Sequence, residues 1–251
     1  NYSNIEAMKE EKMIPLSKIS LINKRTVKKL AKLGIDSLSD LYYVVSPKTF
    51  ENSDIEWKEI QDIRVTLNLP IEMSPIINPE EIELLHKNKI QNLLDMMMDS
   101  IEEIEKRTKI PASRVKAIQE SISIDEIVTM LKRITLDKVD FPQNYRDLLV
   151  REEIHNLYEL LTSPNEEVYL KSKGDQKIRV PMESWAKIIA ILSLPLSLIM
   201  QPKDDHLKLL KQKRIVTLRD AFVTSEEKIS DILGDFAQEF LETLRTLYFQ
   251  E

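Results

Sequence analysis

The sequence predicts an all-α chain of four small helical units in series. Three observations carry this: a seven-residue phrase that recurs at a near-regular interval, a second helix-start signal behind each copy, and a shortage of glycine and of strand-type alternation. The phrase runs isoleucine, any residue, a serine, threonine or asparagine, leucine, any residue, an acid, an apolar residue. It stands at Ile35 to Leu41, Ile90 to Met96, Ile154 to Leu160 and Ile215 to Ala221, its copies 55, 64 and 61 residues apart. Self-similarity at such a period marks a tandem array, with one supersecondary unit to each interval.

Each element of the unit has its own reason. Ser37, Asn92, Asn156 and Thr217 are residue types that accept hydrogen bonds from free amides at a helix start, and Asp40, Asp95, Glu159 and Asp220 stand three positions on, where a capping box closes. Ahead of the phrase lies a helix that runs into a tight turn, Val27 to Leu33 in the first unit and His206 to Lys211 in the last. Behind it Ser46-Pro47, Ser100 to Glu103, Ser163 to Glu166 and Thr224 to Glu227 signal a further helix, with proline at the first helical position or carboxylates in the first turn. Each unit closes on a helix with apolar residues three and four apart: Trp57, Ile60, Ile63, Val65 and Leu67; Val115, Ile118 and Ile122; Trp185, Ile188, Ile189 and Leu192; Phe240, Leu241, Leu244 and Leu247. Units are expected over 13–72, 73–123, 124–202 and 203–251. Connectors fall near Pro70 to Pro79 and Pro195 to Pro202, and a linking helix around Ile124 to Ile134 heads the third unit. Glu167 to Leu170 and Lys177 to Val180, flanking Gly174, predict a small β-hairpin inserted there.

Composition narrows the function classes. With 251 residues and 42% apolar content the chain can bury a core, while units of about sixty residues are small enough that neighbours must pack on one another. Cysteine is absent, which removes disulfides, thiolate metal sites and cysteine nucleophiles and fits a cytoplasmic setting. The apolar stretch Ile188 to Met200 is shorter than a bilayer crossing and is broken by Pro195, so no membrane partner is expected. No secretory signal is visible, and a first residue other than methionine leaves room for a longer parent protein. The formal charge is −6, from 36 basic and 42 acidic residues, so any nucleic-acid contact has to be local.

The order of starts and stops resembles the helix-hairpin-helix superfamily, in particular the carboxy-terminal domain of the bacterial RNA polymerase alpha subunit and the amino-terminal domain of archaeal and eukaryotic recombinases. The residues that carry the resemblance are Lys32-Leu33-Gly34-Ile35, Ser37 to Leu41 and Ser46-Pro47 in the first unit. The second has Ile90 to Asp95, Ser100 to Ile104 and Lys109-Ile110-Pro111; the last has Arg214 to Asp220, Ser225-Glu226-Glu227 and Ile232 to Phe236. The resemblance spans roughly residues 13 to 250 and implies four degenerate helix-hairpin-helix-like units. DNA-binding members carry a Gly-apolar-Gly turn whose amides approach a phosphate. Here Gly34 and Gly234 stand singly, read as helix C-caps with a phosphate nest as the alternative at either, and Asn88-Lys89 and Glu152-Glu153 fill the comparable stretches of the middle units.

Charge distribution supplies the candidate site. Lys24, Arg25, Lys28, Lys29 and Lys32 follow one another with no acid between them, and Lys208, Lys211, Lys213 and Arg214 form an echo before the fourth phrase. Such clusters suit a phosphate backbone, against the plainer reading of a solvated helix face. Glu80, Glu81, Glu83, Asp99, Glu102, Glu103 and Glu105 are expected to serve as helix caps or as a surface for protein. Met96 to Met98, Trp57 and Trp185 are expected in the core. His86, His155 and His206 lack metal-ligand spacing, and no phosphate loop, dinucleotide fingerprint or nucleophile elbow occurs, so no enzyme, cofactor, metal or small-molecule substrate is inferred. The expected function is a non-catalytic binding or scaffold protein of nucleic-acid transactions that contacts DNA or RNA through the outer units and protein through the middle ones. The alternatives are a protein–protein adaptor without a nucleic-acid role and an accessory region of a larger enzyme.

Overall fold

The computed structural model describes residues 14–171, 177–199 and 204–247. They form an all-α protein with a single two-stranded sheet among the described residues. The chain divides into two compact units, Asn1–Ile124 and Asp125–Glu251.

The first unit holds α1 (Lys24–Lys32), a π-helical turn (Asp40–Val44), α2 (Trp57–Leu67), α3 (Pro79–Lys87), α4 (Leu93–Met98), α5 (Ile101–Thr108) and α6 (Ala112–Glu120). The second holds α7 (Ile124–Arg133, whose first residue closes the first unit), α8 (Gln143–Arg151) and α9 (Leu157–Thr162). The strands β1 (Leu170–Lys171) and β2 (Lys177–Ile178) follow, then α10 (Met182–Leu192), α11 (Leu196–Ile199), α12 (Asp204–Gln212), α13 (Leu218–Val223), α14 (Glu226–Leu233) and α15 (Ala237–Thr246).

One local frame recurs four times. A helix (α1, α3, α8, α12) ends in a residue of positive φ, which is Gly34 at 74°, Lys89 at 61°, Glu153 at 55° and Arg214 at 61°. A buried isoleucine follows: Ile35, Ile90, Ile154 or Ile215. Next comes the capping residue, whose backbone is bridged antiparallel to a residue 21 or 22 positions earlier: Pro15 with Ser37, Pro70 with Asn92, Thr135 with Asn156 and Pro195 with Thr217. The leucine beyond each cap, Leu38, Leu93, Leu157 or Leu218, is buried. The capping acid closes the frame from outside. Asp40 Oδ2 accepts from the Asp36 and Ser37 amides at 3.3 and 3.0 Å, Asp95 Oδ2 from Gln91 and Asn92 at 2.8 and 3.2 Å, Glu159 Oε2 from His155 at 2.7 Å, and Asp220 Oδ2 from Val216 and Thr217 at 2.9 and 2.9 Å.

The opening residues of two frames, Pro70 and Pro195, lie before the boundaries drawn from sequence at 72/73 and 202/203. In both places the preceding helix, α2 or α10, runs almost directly into the bridge through Leu67-Asn68-Leu69-Pro70-Ile71 and Leu192-Ser193-Leu194-Pro195-Leu196. The same closing helices pack on the capped helix of the next frame, α2 on α4 and α10 on α13. Ile60, Ile63 and Leu67, Val115 and Ile118, Trp185, Ile188 and Leu192, and Phe240, Leu241 and Leu244 are buried. Met96 and Met97 lie in the core, whereas Trp57 is half-buried against Phe50, ring centroids 5.8 Å apart.

Two expectations are corrected. The helices expected behind Ser46 and Ser163 are single 3-10 turns, Pro47–Phe50 and Glu166–Val168. In the second case Asn165, rather than Ser163, takes the cap, accepting from the Glu167 amide at 2.8 Å and turning two of the residues read as strand, Glu167 and Val168. The hairpin therefore keeps only Leu170 opposite Ile178 and Lys171 opposite Lys177, and Gly174 lies outside the described residues, as do residues 200–203 of the second connector. No helix among the described residues is long and apolar enough to cross a membrane.

The capping carboxylate is testable through Asp40, whose pKa lies below its ordinary 3.8. The Ser37 hydroxyl is the main cause; the Ser37 and Asp36 amides add to it against a smaller effect of burial. A depressed folded-state value means that the contribution is complete above the unfolded value and is lost as pH falls through the folded one. Asp40→Ala should cost about 1 kcal/mol in urea unfolding at pH 7, and its gap from the parent should close only below about pH 4. A gap already closed at pH 5 would contradict the assignment.

Candidate nucleic-acid interface

The basic helix α1 is started by Asn23, whose side chain accepts from the Thr26 amide at 2.8 Å. Its last turn carries Lys29 and Lys32, where cations suit the carbonyl end of the helix dipole. Thr26 and Leu30 are buried, and the Thr26 hydroxyl donates to Glu59 of α2 at 2.7 Å, so this edge is fixed. The opposite face presents Lys24, Arg25, Lys28 and Lys32, all exposed, and none of the four has an ion pair or side-chain hydrogen bond among the described residues. Lys29 differs from its neighbours: half-buried, it donates to the Asp54 carbonyl at 2.7 Å and acts as a tie. Four of the five predicted residues thus form one accessible cationic face.

The echo on α12 is thinner. Lys208 faces Asp205 one turn back at 3.5 Å, a pair so exposed that it contributes little. Lys211, Lys213 and Arg214 are exposed without an ion pair among the described residues, and Arg214 is the left-handed residue of its turn. Lys28 and Lys208 both stand nine positions before the capping residue of their frame.

Backbone amides do not add an anion site at these turns. Consecutive N–H groups at a helix start form a natural anion nest, but here Asp40, Asp95, Glu159 and Asp220 fill it from within the chain. Gly34 N–H is also taken, donating to the Ala31 carbonyl at 3.0 Å, so this glycine is a helix cap. Gly234, at φ 54° and ψ −128°, caps α14 in a region that only glycine enters easily.

Of the acids read from sequence in the second predicted repeat, Glu81, Glu83, Asp99, Glu103 and Glu105 have structural partners. Glu81 caps α3 and grips Arg114 of α6 through two hydrogen bonds of 2.6 and 2.9 Å, and this guanidinium holds the Glu81 carboxyl below the usual carboxylate range. Glu103 caps α5, Glu105 accepts from the Ala112 amide at 2.9 Å, and Asp99 meets Arg107. The histidines are separate: His86 faces Glu72 at 3.2 Å, His206 stacks on Phe236 with centroids 4.1 Å apart, and His155 is exposed. Among the described residues no three acids or histidines gather closely enough to hold a metal ion.

Sequence reasoning missed a second recurrent device, a side-chain donor at the carbonyl end of each capped helix. Arg64 donates to the Tyr42 carbonyl at 3.2 Å, Gln119 to Met96 at 2.8 Å, Arg179 to Leu160 and Leu161 at 3.0 and 3.1 Å, and Arg133 to Ala221 and Phe222 at 3.1 and 3.0 Å and to Thr224. A signal existed for half of it, since Arg64 and Gln119 each follow their capping acid by 24 residues. Arg179 comes from the hairpin and Arg133 from α7, which no spacing within the unit reveals.

No protein-family model matches the chain, nor does any curated protein or solved structure.

A Cβ added at Gly34 would meet nothing within 4 Å, so only the left-handed backbone opposes a side chain there. Gly34→Ala should cost about 1 kcal/mol in chemical unfolding, with α-helical circular dichroism retained, because Lys89, Glu153 and Arg214 already occupy the same position. A loss well beyond about 2 kcal/mol would mean that the turn is packed against a neighbour.

Proposed function

We propose that the protein is a non-catalytic binding or scaffold protein of nucleic-acid transactions, built of four degenerate helix-hairpin-helix-like units, whose first and last units contact the phosphate backbone of DNA or RNA. The observation that carries this reading is the α1 face: Lys24, Arg25, Lys28 and Lys32 are exposed and carry no ion pair among the described residues, in a chain whose net charge is −6. Cations left unpaired in an acidic protein are suited to an external polyanion. Because the turn amides are filled by carboxylates, the contacts are made by side chains alone. Lysine and arginine on phosphates fix position and affinity and carry little sequence information. The shorter set Lys211, Lys213 and Arg214 of α12 adds a second, weaker contact.

The test is fluorescence anisotropy with duplex DNA, single-stranded DNA and RNA across a salt titration. Three to five neutralised phosphates correspond to a log–log slope of about −3 to −4.5 on duplex DNA. Changing Lys24, Arg25, Lys28 and Lys32 to glutamate should weaken binding at least about tenfold and flatten the slope, with helix content and melting unchanged. Undiminished binding by that variant sinks the site assignment.

A second reading, a protein–protein adaptor, is favoured by apolar side chains exposed in the third frame and on α10, Val150 at 74% and Met182 at 58%. Under that reading the α1 charge reversal is silent, while Val150→Lys with Met182→Lys abolishes capture of a protein partner.

A further inference from the structure

Which way the cations of α1 point depends on how the helix is held. At the pitch of an α-helix Lys24, Arg25, Lys28 and Lys32 fall within about 100° of the circumference and extend over about 12 Å of its length. Leu30, buried on the opposite side, holds the helix down, but apolar contact is non-directional and sets the roll about the helix axis only loosely. Two directional contacts set it more closely. The hydroxyl of Thr26, itself buried, donates to Glu59 Oε1 of α2 at 2.7 Å. Lys29, at the border of the cationic sector, donates from Nζ to the Asp54 carbonyl just ahead of α2, also at 2.7 Å.

Both acceptors belong to one short segment with bonds of its own. Ser53 Oγ donates to the Ile55 carbonyl at 3.0 Å and accepts from the Ile55 amide at 3.1 Å, which closes the turn around Asp54, and the Glu59 amide donates to the Glu56 carbonyl at 3.0 Å at the start of α2. α1 is thus tied at two positions three residues apart, one on its buried edge and one at the margin of its cationic face. A cationic row held in place before it meets a ligand has less ordering to undergo on binding.

We propose that Thr26, Lys29 and Glu59 are positioning residues for the α1 face: they touch no phosphate and fix the roll of the helix so that Lys24, Arg25, Lys28 and Lys32 meet a polyanion together. The role rests on the nucleic-acid reading of α1. Glu59 is the informative member, because its charge and its position act in opposite directions. A carboxylate near a cationic face weakens the attraction of phosphate, so by charge alone any neutral residue there tightens binding; as an anchor, its loss weakens binding.

Salt-titrated anisotropy of the full chain on a duplex DNA probe separates the two. Thr26→Val, which changes no charge, should weaken binding about threefold to tenfold with the salt slope unchanged, and Thr26→Ser should restore it. Lys29→Met should weaken binding by a similar factor at the parental slope, whereas loss of a phosphate contact would lower the slope by about 0.9. Glu59→Gln, whose amide oxygen still accepts, should bind at least as tightly as the parent, and Glu59→Leu should bind less tightly, both with parental helix content. The Glu59 pair decides the matter if Thr26→Val fails to fold. The Lys29 tie is read without nucleic acid, as an ammonium NMR signal that exchanges with water more slowly than that of Lys28. Equal exchange at Lys28 and Lys29, a slope lowered by about 0.9 in Lys29→Met, or Glu59→Leu binding as tightly as Glu59→Gln overturns the proposal. No binding by the parent chain removes the nucleic-acid reading and the positioning role with it, and the Lys29 signal then shows separately whether its tie exists.

Discussion

The fold depends on one carboxylate per frame. Asp40, Asp95, Glu159 and Asp220 each turn back onto the amides that a tight turn leaves unpaired, where an unmet N–H would be costly beside a buried isoleucine and leucine. That contact starts the helix, holds the left-handed residue before it, and lets Ile35 and Leu38, or their counterparts, enter the core from a turn of three residues. It also settles what the turn does chemically. A nest of backbone amides binds one anion, and here the chain supplies its own, so these amides offer no open site to an external one.

The bridge adds the second constraint. Leu16 N donates to Asp36 O and Leu38 N to Ile14 O, and the same pair of bonds recurs as Ile71 with Gln91 and Leu93 with Leu69, Leu136 with His155 and Leu157 with Ile134, and Leu196 with Val216 and Leu218 with Leu194. Both donors flank the bridged residue, which gives none itself. Proline therefore fits at 15, 70 and 195 without loss of a hydrogen bond, and Thr135 shows that proline is not required. Since the bridge begins two residues after α2 or α10 has ended, the end of one frame is the start of the next. Leu69 and Ile71, both buried, belong to the two at once. This explains why closing helices pack on the capped helix that follows rather than standing alone.

These features differ in how far they were legible in the sequence. Caps and closing faces were legible because they are local: Asn92 and Asp95 are three residues apart, and Val115 and Ile118 lie on one helical face. The bridges were not, for Pro70 meets Asn92 across a whole helix and nothing in either residue names the other. Left-handed Lys89, Glu153 and Arg214 were hidden as well, since glycine is the residue that advertises positive φ and only the first frame uses it. At the candidate site the run of cations on α1 was plain, whereas the diversion of Lys29 to the Asp54 carbonyl rests on a tertiary contact 25 residues away. The same holds for Arg133, whose role is set by α13, nearly ninety residues further on.

Net charge is a poor guide to where positive potential gathers on a chain. At physiological ionic strength the field of an exposed charge fades over about 8 Å, so the 42 acids act on α1 only where they are near it. Glu59, the acid bonded to α1, is spent on the Thr26 hydroxyl at the buried edge. The four cations opposite are spaced as neighbours on a helix, Lys24, Lys28 and Lys32 one turn apart with Arg25 alongside, so their potentials reinforce one another. On α12, by contrast, Lys208 already has Asp205 beside it, and Lys213 and Arg214 lie past the end of the helix. The two helices occupy the same place in their frames but differ in local field, and α1 carries the stronger positive potential.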